Sequence, residues 1–178
     1  MLPGEIRSAV GEIRLDYASG VPVTLGVRVE WPWQTVGTAK WAQTVVDGSV
    51  LVPTVGGQYW RATGHGVVTV GGPAPPQRWH ALGGSGTLTT RDVLDKSGDQ
   101  LVYGEQLYTF PIQRWDDPLW GTPKLSLRHV FGSAGVGSVG TIGNEVGIRF
   151  DFAVLRMDVM FDPVTKRSLF TFAAAVGP

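Results

Sequence analysis

The sequence predicts an all-β chain, an antiparallel barrel of about ten strands with a closed β-sandwich as the alternative. Three observations predict it. Apolar residues recur at every second position over long stretches, and no segment carries the 3.6-residue period of a substantial helix. The 25 glycines and 12 prolines are spread along the whole chain rather than pooled in one linker, as in a chain of many turns.

Before the longest of these stretches, Ile13, Leu15 and Tyr17 alternate with Glu12, Arg14 and Asp16, and Ser19-Gly20 supplies a turn. From Val21 to Trp33, valines, Leu25, Trp31 and Trp33 then alternate with Thr24, Arg28 and Glu30, which predicts a long strand with one buried face and, with its predecessor, a hairpin. Asp47-Gly48 lies between β-branched runs and predicts a tight hairpin turn, because Gly tolerates the positive φ that such turns need. Tyr59 to Thr63 and Gly66 to Val70 read as two short strands, and Gly71 to Pro76 as an extended loop in which proline removes donors. Ser85 to Leu94 and Gln100 to Phe110 read as strands flanking a turn at Asp95 to Asp99.

In the second of these, apolar parity switches between Leu101, Tyr103 and Tyr108, Phe110, which predicts a bulge at Gly104. Pro111 to Pro123 is irregular, Leu125 to Phe131 is a strand, and Gly132 to Gly143 is a glycine-rich loop. Val146 to Val154 and Leu155 to Phe161 are apolar at opposite parities, so a bulge or a crossing between sheets is expected near Ala153. Asp162 to Lys166 turns the chain into a last strand, Ser168 to Val176. One domain, 1–178, accommodates all of it.

Composition excludes several functions. Fifteen basic and 15 acidic residues give a formal net charge of +0, which leaves no electrostatic footprint for nucleic acid. With 0 cysteines there is no disulfide, thiolate metal site or cysteine nucleophile. The first residues lack a basic region followed by an apolar run, and no apolar run of about 18 residues occurs. A cytoplasmic or particle-associated protein that binds neither membrane nor nucleic acid is the resulting expectation.

The chemical motifs are sparse. Gly135-Val136-Gly137-Ser138-Val139-Gly140 fits a dinucleotide loop letter for letter, but a strand rather than a helix follows it, so no cofactor is expected. Neither Gly83 to Gly86 nor Gly132 to Ala134 has the spacing of a serine nucleophile elbow. His65, His80 and His129 lack metal-ligand spacing, and no metal is expected. Asp116-Asp117, between Trp115 and Trp120, reads as a solvated turn in preference to a carboxylate pair gripping a sugar.

Tryptophan numbers 7, enough either to plug a core or to line a dry pocket. The candidate pocket residues are Trp31, Trp33, Trp60, Tyr103, Glu105, Tyr108, His129 and Arg149, with Arg149 and Asp151 on one face of a strand. Gly66 to Gly71, followed by Leu82 to Thr87, is similar to the paired segments of the allene oxide cyclase and dirigent barrels. That likeness implies a β-barrel and transfers no residue role.

Four functional expectations follow. The first is a barrel that binds an apolar or polycyclic small molecule, a cofactor-independent cyclase or isomerase that works by substrate shaping. The second is a self-associating structural protein of a virion, tail or decoration layer, completed at its edges by neighbours. An outer-membrane barrel ranks third, because alternating strands rich in aromatics are its signature while Pro22 and Pro32 sit in the best strand. A carbohydrate-binding module ranks fourth.

Overall fold

The structure, a computed structural model, describes residues 7–34, 40–84, 87–92 and 95–174. Period-two alternation becomes nine long strands in one antiparallel meander: β1 (Arg7–Tyr17), β2 (Val23–Gln34), β3 (Ala42–Pro53), β4 (Tyr59–Val70), β7 (Gln100–Pro111), β8 (Lys124–Gly135), β9 (Gly143–Phe152), β10 (Leu155–Asp162) and β11 (Arg167–Ala174). Each strand pairs with the next along the chain. Between β4 and β7 a long insertion, 71–99, carries the short strands β5 (His80–Leu82) and β6 (Lys96–Gly98), which among the described residues pair only with each other. Because nine strands alternate in direction, β1 and β11 run the same way, and among the described residues each is paired on one side only.

The all-β class stands, and several local expectations are corrected. Asp47-Gly48 is not a turn but the middle of β3, where Asp47 pairs with Gly26 on one side and His65 on the other. Asp-Gly favours a turn only when its flanks pair with each other, and here both flanks find neighbouring strands. Tyr59 to Val70 is one strand because Gly64 continues the ladder opposite Gly48 and Gly104. No bulge interrupts β7 at Gly104; the register runs straight through it, and Phe131 lies over the space that the missing side chain leaves. The parity switch in β7 arises because both of its faces carry apolar residues.

Of the expected strand Ser85 to Leu94 only 87–92 are described, and they are turns and bends with no strand among them; the expected turn at Asp95 to Asp99 contains β6 instead. Leu125 to Phe131 extends to Gly135, so the loop shrinks to 136–142. The phase change at Ala153 is a tight turn, with Phe152 facing Leu155 across it and Ala153 at φ 53°. The turn at Asp162 to Lys166 is present, with the Asp162 carboxylate accepting from the amides of Val164 and Thr165 at 2.8 and 3.0 Å. Ala175 and Val176, the expected end of the last strand, lie outside the described residues.

Paired residues in an antiparallel ladder share a face, so the register sorts every side chain. One face carries Glu12, Arg28, Asp47, Arg61, Glu105, Arg128, Glu145, Arg149 and Asp158 with their register partners. The other carries Ile13, Leu25, Val46, Val68, Leu127, Ile148, Val159 and Phe170 with theirs. From residue 8 to 174, no Asp, Glu, Lys or Arg of the nine strands falls on this second face. The insertion folds onto the charged face. There Leu82 and Leu88 meet Val67, Leu101, Val130, Ala134 and Met160 in the main apolar cluster.

The insertion seats by backbone contact. At Gly98 a Cβ atom would overlap the backbone of Gly135 in β8, which cannot yield as a flexible side chain would. Gly98→Val is therefore expected to destabilise by about 1–3 kcal/mol. Gly11→Ala, where nothing lies within 4 Å, is expected to stay within about 0.5 kcal/mol; urea unfolding of both variants measures the contrast.

Candidate functional site

The charged face is where polar chemistry converges. Over the middle and the insertion-side ends of β7 to β10 it is buried: Glu145 and Asp162 are 0% exposed and Arg128 is 3% exposed. Burying charge is tolerated when each group finds partners. Arg128 Nε donates to Glu105 Oε1 at 2.6 Å, Arg149 Nε donates to Asp158 at 2.7 Å, and Arg149 Nη1 lies 3.9 Å from the same Glu105 oxygen. Tyr103 adds its hydroxyl to Glu105 at 3.2 Å. These residues occupy adjacent rungs of neighbouring strands, so the network follows directly from the register.

The insertion is tied into this face on both flanks. Arg78 donates to Glu30 of β2 at 3.0 Å, and Arg91 donates to Asp162 of β10 at 2.7 Å. Glu145 accepts from the amides of Thr89 and Thr90 at 2.8 and 2.9 Å and from the Thr90 hydroxyl at 2.8 Å. Asp99 accepts from the amides of Ala74 and Gly137, both at 2.8 Å, and so joins the start of the insertion to the 136–142 loop. That loop, the dinucleotide-like stretch, leads into β9.

On the β1–β4 side the insertion leaves a cavity of about 490 Å³, lined in part by Arg28, Asp47, His65, Arg78 and His80. His65 Nδ1 is hydrogen-bonded to Asp47, its register partner, and the His65 and His80 rings lie 5.5 Å apart. Burial holds the His80 imidazole below its ordinary range; His65 and Arg28 add to this, and Asp47 opposes it. Among the described residues no group of three or more His, Asp or Glu could hold a metal ion.

The candidate pocket residues do not assemble into one pocket. Tyr103, Glu105 and Arg149 lie on the charged face, whereas Trp31, Trp60, Tyr108 and His129 lie on the apolar one. Trp31 is 67% exposed, so the apolar face of β2 is not the buried face expected of it. Trp33 is in β2, but its side chain lies outside the described residues. Asp116 and Asp117 form an exposed turn, with Asp117 accepting from the amides of Leu119 and Trp120.

Of Asp47, His80, Arg128 and Glu145, the sequence presents Asp47 only as half of a turn and His80 only as a metal ligand to be weighed, and it singles out neither Arg128 nor Glu145. Two of the four have a signal there, because Arg128 and Glu145 sit at the polar parity of apolar-alternating strands; the Asp47–His65 contact depends on a register that sequence does not display. No known family model matches the chain, and no curated protein matches it.

Two predictions test this geometry. Glu145→Gln turns one acceptor oxygen into an amide donor facing the amides of Thr89 and Thr90, and should cost about 1.5–3 kcal/mol in urea unfolding and open 71–99 to protease. For His80 the unfolded state takes up its proton near the ordinary pKa of about 6.5 and the folded state only at lower pH, so stability rises with pH through that window. The contribution is complete above the unfolded value and is lost as pH falls through the folded one. His80→Gln is expected to flatten that acid limb of the stability profile.

Proposed function

We propose that this chain forms the wall of a membrane-embedded β-barrel, with its apolar face against lipid and its charged face turned to a partly plugged interior. One observation carries the reading: the chain folds its longest insertion onto its charged face and leaves the apolar face uncovered. A sheet that faces water on one side does the reverse. A membrane barrel presents apolar residues outward and polar residues inward on every strand.

Supporting details agree. Most of the nine strands have 10 to 12 residues, against the roughly 9–11 needed to cross tilted. On the apolar face Tyr17, Trp60, Tyr108, Phe110 and Phe152 sit near the strand ends that meet the 18–22, 54–58, 112–123 and 153–154 connections, and Trp31 and Phe161 near the opposite ends. Aliphatic residues such as Ile13, Val46 and Ile148 occupy the middle, while Phe131 and Phe170 lie further in than a strict girdle would have them. Among the described residues no helix is long and apolar enough to cross a membrane, so crossing would fall to the strands.

A subunit that buries the apolar face against neighbours in a particle is the second reading, favoured by the one-sided pairing of β1 and β11. It needs no lipid. A ligand barrel is a third reading; of its aromatic candidates Trp31, Trp60 and Tyr108 share the apolar face and Tyr103 lies on the charged one.

The test is a pair of charge insertions on one strand, in protein refolded into lipid vesicles. Ile148, 49% exposed in the middle of β9, becomes Arg, and so does Phe152 at its end. Against lipid, Ile148→Arg should cost about 2–4 kcal/mol and Phe152→Arg about 0–1. Equal costs within about 0.5 kcal/mol, as for exposed positions in water, would sink the membrane reading.

A further inference from the structure

The two halves of the charged face are filled differently. Beneath β7–β10 the apolar cluster and the Arg128, Glu105, Arg149 and Asp158 network take up the space. Beneath β2–β4 a band of charged-face positions is small, Thr24 and Gly26 on β2, Ser49 on β3 and Thr63 on β4, with Leu51, Pro53, Tyr59 and Arg61 between it and the shorter turns. The 490 Å³ cavity lies against the insertion, and a second of about 260 Å³, bordered by Thr24, Ser49, Thr63 and Tyr103, shares Asp47 and His65 with it. Glu30 to Thr24 covers about 20 Å of strand at 3.3 Å per residue, against a hydrocarbon core of about 30 Å.

We propose, building on the membrane reading, that these two cavities are one polar passage for small hydrated cations, narrowed where Asp47, His65 and His80 meet. The charged groups around it are Glu12 of β1, Arg28 and Glu30 of β2, Asp47 of β3 and Arg78 of the insertion, three carboxylates against two guanidinium groups. Glu30 is engaged by Arg78. Asp47, hydrogen-bonded to His65 through one oxygen, keeps a side chain that is 64% exposed and is the carboxylate best placed to meet a passing ion. A ring of one sign of charge at a constriction selects ions of the other. Acid adds a proton to the His80 imidazole, which brings the three carboxylates and the positive groups of the lining into balance and should remove the cation preference. Tyr103 of β7, the remaining titratable group, stays neutral in that range.

The full chain, reconstituted in planar bilayers under a KCl gradient, reports conductance and reversal potential, while vesicle flotation of the same preparation reports insertion separately. The expected result is potassium preferred over chloride at neutral pH, with the ratio reduced about threefold or more by Asp47→Asn and falling also in acid below the ordinary imidazole range. Gly26→Phe should cut conductance without unfolding the protein, because a Cβ there meets nothing closer than 3.9 Å. Chain that floats with vesicles but conducts nothing, prefers chloride at neutral pH, or conducts equally well as Gly26→Phe overturns the passage and leaves the membrane reading standing. Chain that does not float overturns both.

Discussion

A β-strand sends successive side chains to opposite sides, so a chain that places its charges at one parity creates two surfaces with incompatible needs. In this protein that constraint governs the rest. Glu105, Arg128, Glu145, Arg149, Asp158 and Asp162 all point to one side, and leaving such groups buried and unpartnered would cost several kcal/mol apiece. The opposite side, from Ile13 to Phe172, has no group able to hydrogen-bond strongly with a polar surrounding beyond a few residues such as Gln106 and His129.

The 71–99 insertion is what the charged side requires. It brings amides to Glu145, guanidinium groups to Glu30 and Asp162, and Leu82 and Leu88 to the few apolar residues on that face. Asp99, itself 0% exposed, fastens the base of the insertion to the neighbouring loop. Its cover is uneven: Arg128, Glu145 and Asp162 of β8 to β10 are sealed, whereas Glu12 and Arg28 near the other edge remain exposed. The same unevenness leaves the cavity between the insertion and β1–β4, so the anchoring of the insertion and the open polar space are two results of one arrangement.

The strands were legible because period two survives any register. Their all-antiparallel order followed from sequential hairpins, and the turns at Ser19-Gly20 and Asp162 to Lys166 from their residue types. What sequence could not display was which face the chain covers. Alternation at Val23 to Trp31 is the same whether the apolar side is a core or an outer surface, and the usual assumption of an apolar core placed Trp31 and Tyr108 beside Glu105 when a sheet divides them. Asp47-Gly48 misled for a related reason: a pair suited to a turn also fits a mid-strand position opposite Gly26 and Gly64. The Asp47, His65 and His80 meeting point needs both the β3–β4 register and the path of the insertion.

The central claim is that the apolar face of the sheet meets lipid. With 0 native cysteines, spin labels can be placed one at a time along β9, from Asn144 to Phe152, without background. In vesicle-reconstituted protein, accessibility to oxygen, which concentrates in lipid, should peak at positions 146, 148 and 150 and fall at 145, 147 and 149. A water-soluble nickel reagent should be excluded from the first set. High nickel accessibility at 146, 148 and 150, equal to that of a labelled surface loop, would contradict the account.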